Sequence, residues 1–469
     1  MQGITFKRSD YTAALADWLK IDAVVNGTVK NYGEAYLPNP NAVEDGQEAR
    51  KIYERYKERA AFFNATGSTL RSLVGMAFKR WPSFERPPEM DYLEDDADGS
   101  GVSIYQQSQN AVAEVLAKGR KALFVDYPQV DRTLSRAEMA SGYYRPTIIS
   151  LDAEQVINWR TERVGSSHKL VQVVFWEEIE AVASDGIGVE FQKLYRRLML
   201  VDGVYMQQVW VQGKESTEMV SEFTPRDGAG RTWDVLPFCF IGSQNNDHRI
   251  DTPPMLDMVN LNIKHYQVSA DWYNALFYAG QPQPWMAGLT TEWRDWLEEH
   301  GYIVGSRSVI PLPEGGQFAF ATVPAETAIQ SELKDIEQRM VAIGARLIQS
   351  GVAVKTAQQA RDESEATTSV LSLVVENVNE AYNKALGYVA RYLNIGGEWS
   401  YQVNSQFIGS ADAQMVTALV ALYNTGRFPD DDLFRFLRRS DLIDPTKTDD
   451  EIREALEGQS LGTPGLNFG

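Results

Sequence analysis

The feature that most constrains this fold is a regular spacing of apolar residues that begins after Pro253 and Pro254. They recur at alternating steps of three and four, which is typical of a helix packing lengthwise against neighbours. This seam comprises Leu256, Val259, Ile263, Tyr266, Ala270, Tyr273 and Phe277. At about 1.5 Å rise per residue, a helix over 255–279 forms a rod of roughly 36 Å.

The opposite side of the same predicted helix is polar. Its stripe follows the same spacing and comprises Asp257, Asn260, Lys264, Gln267, Asp271 and Asn274. The predicted helix is therefore amphipathic, with an apolar seam on one side and a polar face on the other.

Two further helices are predicted nearer the C-terminus. One covers 328–348, with a seam of Ile329, Leu333, Ile336, Met340, Ile343 and Leu347. The other covers 366–394, with a seam of Leu371, Val374, Val378, Ala381, Ala385, Tyr388 and Tyr392. The segment 350–369 between them is polar and weakly periodic, which favours a loop.

The rest of the chain mixes helices and strands. Helices are predicted at 44–64, at 69–78 after a break at Thr66-Gly67, and at 104–117, with a strand at 122–125. From 146 to 240 β-branched and aromatic residues alternate, and Asp202-Gly203 between two such runs favours a tight hairpin turn. Residues 281–325 form an irregular region with several possible short strands. After 412 we expect short helices, the last opened by a capping box of Thr448 and Glu451. The predicted fold class is α+β, mainly helical.

Composition and charge narrow the function. The 469 residues are 43% hydrophobic and 11% aromatic, so the chain can bury a large core. The formal net charge of −19 argues against the broad cationic surface of a protein that grips DNA tightly. No run approaches the length of apolar residues that a membrane span needs.

No arrangement in the sequence indicates catalysis or metal binding. The histidines, His168, His248, His265 and His300, do not stand at metal-ligand spacing from one another or from the single Cys239, which we expect to be a buried thiol. The run from Glu94 to Gly99 imitates half of a calcium loop, but its twelfth position holds Tyr105 in place of a bidentate Glu. We therefore expect no enzyme activity, no metal and no cofactor.

Two further motifs are discounted. Ser166 and Lys169 match a nucleophile motif by spacing, yet they lie in a turn before a predicted strand rather than at a helix start. No Walker-type Gly-Lys-Ser/Thr run occurs, so the chain is not expected to be an ATPase that drives DNA movement.

Several runs resemble the portal proteins of tailed bacteriophages. They are Tyr56-Lys-Glu-Arg-Ala-Ala-Phe-Phe-Asn-Ala-Thr-Gly67, Thr69-Leu-Arg-Ser-Leu-Val-Gly75, Ala153-Glu-Gln-Val-Ile-Asn-Trp-Arg160, Pro253-Pro-Met-Leu-Asp257, Asn262-Ile-Lys-His-Tyr266, Ser269-Ala-Asp271 and Gln281-Pro282. The similarity spans roughly residues 50 to 440. Each run is weak alone, but their order and spacing are specific.

The resemblance implies a closed ring of about twelve subunits around a channel, with wing, stem, clip and crown regions. It assigns 1–254 to the wing, β-rich from about 146, 255–280 to a stem helix, 281–325 to the clip and 326–349 to a returning stem helix. Residues 350–369 would be a channel loop, 370–411 a long wing helix and strand, 412–457 a short crown and 458–469 a flexible tail.

On this reading the seam packs subunits together, and the stripe 257/260/264/267/271/274 lines the channel. An alternative left open is that the stripe faces solvent or a neighbouring wing. The seam of the returning helix contributes Leu333, Ile336, Met340 and Ile343, and the channel loop contributes Lys355, Arg361, Asp362, Glu363 and Glu365. The clip offers docking candidates in Trp285, Trp293 and Trp296.

The resemblance also implies partners and a location. DNA would pass without sequence specificity, and the ring would meet the major capsid protein, a terminase and a neck or tail adaptor. The ring would be assembled in the host cytoplasm and kept at the portal vertex of the virion, without contact with a membrane. The alternatives are another neck or scaffold component without a DNA channel, and an enzyme with an unrecognised carboxylate site.

Overall fold

The computed structural model describes residues 3–40, 46–128, 144–182, 187–213, 216–281, 283–301, 312–321, 327–348, 369–405, 448 and 451. The chain divides into two compact units, residues 1–403 and 404–469. In the second unit the Thr448 backbone N–H donates to Glu451 Oε2 at 2.8 Å, and the Glu451 N–H donates to Thr448 Oγ1 at 3.3 Å. This reciprocal pair confirms the predicted capping box.

Helices form the N-terminal part of the first unit. They are α1 (Ser9–Val25), a 3-10 turn (Val29–Ala35), α2 (Gln47–Arg59) and α3 (Ala65–Ala77). The Asn64 side chain caps α3 by accepting the Gly67 N–H at 2.8 Å. The predicted break at Thr66-Gly67 is therefore wrong, because the cap places the break at 60–64.

A short strand and a capped helix follow. Strand β1 (Ser83–Glu85) precedes α4 (Ile104–Lys118), which Ser103 and Gln106 open with a capping box. Helix α4 ends at Gly119, whose φ of 73° suits a residue without a Cβ. The prediction of a helix at 104–117 is confirmed.

The β-rich region contains an antiparallel meander. Its strands, in order across the sheet, are β4 (Val156–Val164), β5 (Ser167–Val182), β6 (Val189–Val201), β7 (Val204–Gln212) and β8 (Thr217–Phe223). Asp202 and Gly203 join β6 to β7 with φ values of 51° and 78°, so the predicted tight turn is confirmed.

A second sheet carries the core. It orders β3 (Thr147–Asp152), β2 (Arg120–Asp126) and β9 (Phe238–Gly242), all antiparallel. Phe124 of this sheet contacts Phe175 of the meander, with ring centroids 5.4 Å apart. Cys239 is buried in β9, as predicted.

The C-terminal half of the unit is mainly helical. It contains α5 (Leu256–Ala279), β10 (Gln283–Ala287), α6 (Thr291–His300), β11 (Gln317–Ala321), α7 (Thr327–Ile348), α8 (Val370–Leu393) and β12 (Ser400–Gln402). Strand β10 pairs with β11 and β12 pairs with β1. The predicted helices at 255–279, 328–348 and 366–394 are confirmed within one to four residues at their described ends. Helices and antiparallel sheets together confirm the α+β class.

Helix α8 runs through the core. The predicted seam residues Leu371, Val374, Val378, Ala381, Ala385 and Tyr392 are all buried. Its polar residues hold the last strand, since the Asn379 side chain both donates to Val403 O at 3.0 Å and accepts the Val403 N–H at 2.8 Å. Among the described helices, none combines the length and apolar character needed to cross a bilayer.

A buried lysine ties α1 to α4 and to the start of the meander. Lys118 Nζ lies 2.9 Å from Asp22, 3.1 Å from Glu114 and 2.9 Å from Glu154 carboxylate oxygens. Burial alone would lower the pKa of Lys118, but the three carboxylates together raise it. The ammonium is therefore charged and paired inside the fold.

Candidate assembly and channel surfaces

Helix α5 carries half of the predicted functional residues. The Leu256 N–H donates to Pro253 O at 3.2 Å, so the prolines set the start of the helix, which ends before Gly280. Its buried face comprises Met258, Val259, Asn262, His265, Tyr266, Val268, Ser269 and Ala270. Burial is therefore confined to the first fifteen residues of the helix.

The predicted packing seam of α5 is used largely inside the chain. Val259 and Tyr266 are fully buried, and the Tyr266 ring meets Phe62 edge to face with centroids 5.8 Å apart. Leu256 and Ile263 are half-buried. The prediction that Val259 and Tyr266 pack against another subunit is corrected, because the chain's own N-terminal helices already cover them.

The seam of α7 behaves in the same way. Ile336 and Met340 are buried, Leu333 and Ile343 are half-buried, and the helix packs along α5. His265 Nε2 of α5 lies 3.2 Å from Glu337 Oε1 of α7, so a polar contact also joins the two helices. The structure thus pairs the two predicted stem helices within one subunit, and the inter-subunit role predicted for Ile336 and Met340 is corrected.

The polar stripe of α5 faces the chain's own N-terminal segments. Gln267 donates to Tyr36 O at 3.0 Å, and Lys20 donates to Asn260 at 3.4 Å. Polar residues placed against polar partners leave the same sequence pattern as polar residues placed against water. The channel-lining role of the stripe therefore stays a prediction, with Gln267 half-buried against the chain and Asn260 exposed.

Two closer contacts fasten α2 to the same stripe. The Tyr56 hydroxyl donates to Asp271 at 2.6 Å, and Arg59 donates to Asn274 at 2.8 Å. Burial, and then the hydrogen bond to Asp271, raises the pKa of Tyr56, so the phenol keeps its proton and donates. Of the six stripe positions, Asp257, Asn260, Lys264 and Asp271 are exposed, and Gln267 and Asn274 are half-buried.

Asn262 is a functional position that the periodicity did not reveal. It is fully buried, accepts from the Thr66 N–H at 3.0 Å and hydroxyl at 2.9 Å, and donates to Phe63 O at 2.8 Å. It therefore satisfies the backbone around the start of α3. A polar residue inside an otherwise apolar face was the available signal, since such residues are usually hydrogen-bonded.

The second half of α5 emerges from the core with its apolar side chains uncovered. Its exposed residues are Tyr273, Leu276, Phe277 and Tyr278. The Arg59 guanidinium lies 4.2 Å from the centre of the Phe277 ring and covers part of it. This end of the predicted seam, Tyr273 and Phe277, is the part that remains available to another molecule.

The predicted clip contains a hairpin-like pair of strands and a helix that was not predicted. Trp285 pairs with Ala319 between β10 and β11, and Thr290 caps α6 by accepting the Trp293 N–H at 3.4 Å. A capping Thr, an acidic first turn and Gly301 after the last residue were signals for this helix. None of the α6 residues is buried.

The three tryptophans cluster on this small region. The Trp293 and Trp296 rings meet edge to face with centroids 5.2 Å apart, and Trp296 stacks on His300 at 4.8 Å. Trp285 is 42% and Trp296 39% exposed, while Trp293 is half-buried. Trp293 and Trp296 pack on each other, and none of the three side chains is enclosed by the described chain.

The loop candidates Lys355, Arg361, Asp362, Glu363 and Glu365 lie outside the described residues, so their assignment to a channel stays a prediction. The acidic turn after Glu94 lies within the described residues. Asp96 there accepts the Gly99 and Gly101 N–H groups and pairs with Arg145 at 2.5 Å. No group of three or more His, Cys, Asp or Glu in the described ranges is placed to hold a metal ion.

Comparison with known protein families identifies one matching family model. Residues 254–393, from the start of α5 to the end of α8, match a family model described as a domain of unknown function, DUF4055. No curated protein matches the chain.

Two solved structures match the chain at low similarity. A chain of the neck of an empty GTA particle, computed with C6 symmetry, is 13% identical over 80% of this chain and 89% of that chain, with a TM-score of 0.42. A chain of the neck of a native GTA particle, computed with C12 symmetry, is 12% identical over 78% and 86%, with a TM-score of 0.38.

Proposed function

We propose that this chain is a portal-type subunit of a tailed-phage virion: copies close into a ring, of about twelve subunits, at one capsid vertex. Double-stranded DNA passes through the ring during packaging and release, without sequence readout. The ring serves as the docking platform for a terminase and a neck or tail adaptor. It has no catalytic site of its own.

One observation carries the proposal: among the described residues of this region, 273–281, 283–301 and 312–320, there is no adequate core within a single chain. A two-stranded sheet is marginal on its own, and a ten-residue helix without a buried face is unstable in water. A second copy that covers the exposed aromatic side chains would supply the missing burial. Covering two tryptophans that are each about 40% exposed contributes roughly 2 kcal/mol apiece.

Charge supports the same role. A net charge of −19 in each subunit disfavours tight phosphate binding over most of an assembled surface. DNA can then slide, since each strong phosphate contact would resist movement.

The test compares the full chain with a double variant, Trp285→Ala with Trp296→Ala, by negative-stain imaging and native mass measurement. We expect rings with a central hole for the parent, and a shift toward single chains for the variant. Trp81→Ala is the matched control, because Trp81 is 75% exposed but lies outside this region. Its particles should match those of the parent.

A parent that stays a single chain at high protein concentration would contradict the proposal. Closed particles without a hole would instead favour a neck or scaffold component. A second experiment measures binding of linear double-stranded DNA at about 150 mM salt. A ring that lets DNA slide should retain no DNA at this salt concentration. Tight retention at that salt would contradict the sliding role.

A further inference from the structure

A cavity of about 530 Å³ lies between the meander, β9 and α8. Its inner wall is apolar and includes Leu170, Phe238 and Phe240, with the Cys239 thiol beside them. Both phenylalanines are almost fully buried, so the wall belongs to the core and does not depend on a mobile side chain. The size falls within the range of sites that hold ligands or peptide side chains.

The rim of the cavity is basic. His168, His248, Arg249 and Lys384 line it, together with Asp247. Arg249 and Lys384 make no ion pair with any described residue, and both are exposed. The Asp247 carboxylate accepts the Arg249 backbone N–H at 2.6 Å and keeps its negative charge, so on the lining two cations stand against one carboxylate. Two unpaired cations facing one cavity are notable in a chain of net charge −19.

Buried hydrogen bonds fix the loop that carries this rim. Asn246 donates to Asn377 O of α8 at 2.9 Å, and Asn377 donates to Gly242 O at 2.8 Å. A Cβ at Gly242 would lie 2.1 Å from Asn245 O, so the loop folds back too closely for any side chain there. The cavity is therefore formed before a ligand arrives.

A buried arginine holds the same loop from below. Arg120 is 2% exposed, and its guanidinium donates to Arg249 O at 2.7 Å while it stacks over the Phe240 ring at 3.9 Å. Burial lowers the pKa of Arg120 to about 9, so the group is still charged at neutral pH. Its charge adds to the positive potential of the rim.

We propose that this cavity binds a short peptide segment of a partner protein in which a large apolar residue adjoins acidic residues. The apolar side chain enters between Leu170 and Phe240, and a carboxylate at the mouth meets Lys384 and Arg249. The Thr161 hydroxyl is placed on the lining for a polar contact with the peptide. Charge complementarity selects an acidic segment over a basic one.

The binding test uses a dye-labelled hexapeptide with tryptophan next to glutamate and aspartate, measured by fluorescence anisotropy on the full chain. A dissociation constant on the order of 1 mM or tighter is expected for a ligand of this size. The same peptide with glutamine and asparagine should bind about tenfold more weakly, since a charge-assisted contact is lost.

Charge reversal tests the residues. Lys384→Glu and Arg249→Glu should each weaken the acidic peptide by about tenfold, and a lysine-containing peptide should bind Lys384→Glu better than the parent. Lys334→Glu is the matched control, because Lys334 is an exposed lysine of α7 that does not line the cavity. Lys384→Gln and Arg249→Gln repeat the comparison if a Glu variant melts early.

Histidine exchange locates the bound peptide. Hydrogen–deuterium exchange at the imidazole rings is measured by mass spectrometry with and without the peptide. Bound peptide should slow the exchange at His168 and His248 and leave it unchanged at His265 and His300, which do not line the cavity. Equal affinity for acidic and amide peptides, or an unchanged affinity in Lys384→Glu, would overturn the proposal. Binding of a free aryl carboxylate in the absence of any peptide would also overturn the proposal. None of these outcomes depends on whether the chain forms rings.

Discussion

Gly67 is a glycine that the fold needs for space rather than for an unusual backbone angle. It lies inside α3, where a Cβ would stand 2.6 Å from Val25 O and 2.7 Å from Asn64 Oδ1. Gly75 lies in the same helix, and a Cβ there would meet nothing within 4 Å. The two positions therefore separate helix propensity from packing.

We predict opposite effects from the same substitution at these glycines. Gly75→Ala should stabilise the chain by about 0.5–1 kcal/mol, because alanine is the better helix former. Gly67→Ala should destabilise it by about 2 kcal/mol or more, since the new methyl group forces α3 away from α1. Thermal melting at one fixed protein concentration measures both. A stabilised Gly67→Ala would refute the close approach.

At the scale of elements, the contact between α2 and α5 decides what the polar stripe does. Substitutions in a stripe that only lined a channel would leave the stability of the chain unchanged. Substitutions in a stripe that binds α2 would destabilise the chain, because the contact with α2 would be lost. We predict that Tyr56→Phe and Asp271→Asn each destabilise the chain by about 1–2 kcal/mol and that the double variant shows a coupling of about 1 kcal/mol. Denaturant unfolding at constant protein concentration gives the three values.

Lys264→Gln serves as the control for that cycle. It lies on the same stripe and is exposed like Asp271, but it makes no hydrogen bond or ion pair with a described residue, so its effect should stay within about 0.5 kcal/mol. Strictly additive Tyr56 and Asp271 variants would mean that the hydrogen bond contributes nothing, and the stripe would again be free to face DNA.

The elements that could be predicted are those whose signals are local. The turn at Asp202-Gly203 and the buried face of α8 follow from residue type and spacing alone. The end of α2 was misplaced because Asn64 caps the next helix, a role that depends on a short side chain meeting one N–H. Helix α6 was missed because 281–325 was interpreted as an irregular region with several possible short strands, and the caps of this short helix were not weighed.

The candidate surfaces were harder to predict than the elements. Periodicity identified α5 and its two faces, but it could not tell which molecule covers each face. Val259 and Asp271 meet the chain's own N-terminal helices, which are about two hundred residues away in sequence. The basic cavity left no pattern at all, because His168, Arg249 and Lys384 come from three distant segments.

At the scale of the whole molecule, stability is uneven in a way that assembly should correct. Helix α8 is enclosed by sheets and helices, whereas β10, α6 and β11 bury almost nothing within the described chain. Local opening is governed by such differences, so the exposed region should open far more often than the core.

Backbone hydrogen–deuterium exchange can follow this difference. In the unassembled chain, obtained by dilution or in the Trp285→Ala/Trp296→Ala variant, amides of 284–300 should exchange at least about a hundredfold faster than those of α8. In the assembled particle the same amides should slow by at least about tenfold, because a neighbouring copy would then exclude water from them. Exchange in α8 should barely change, since its core is complete in one chain. Equal exchange of 284–300 in both states would mean that subunits meet elsewhere, and the aromatic surface would belong to a different partner.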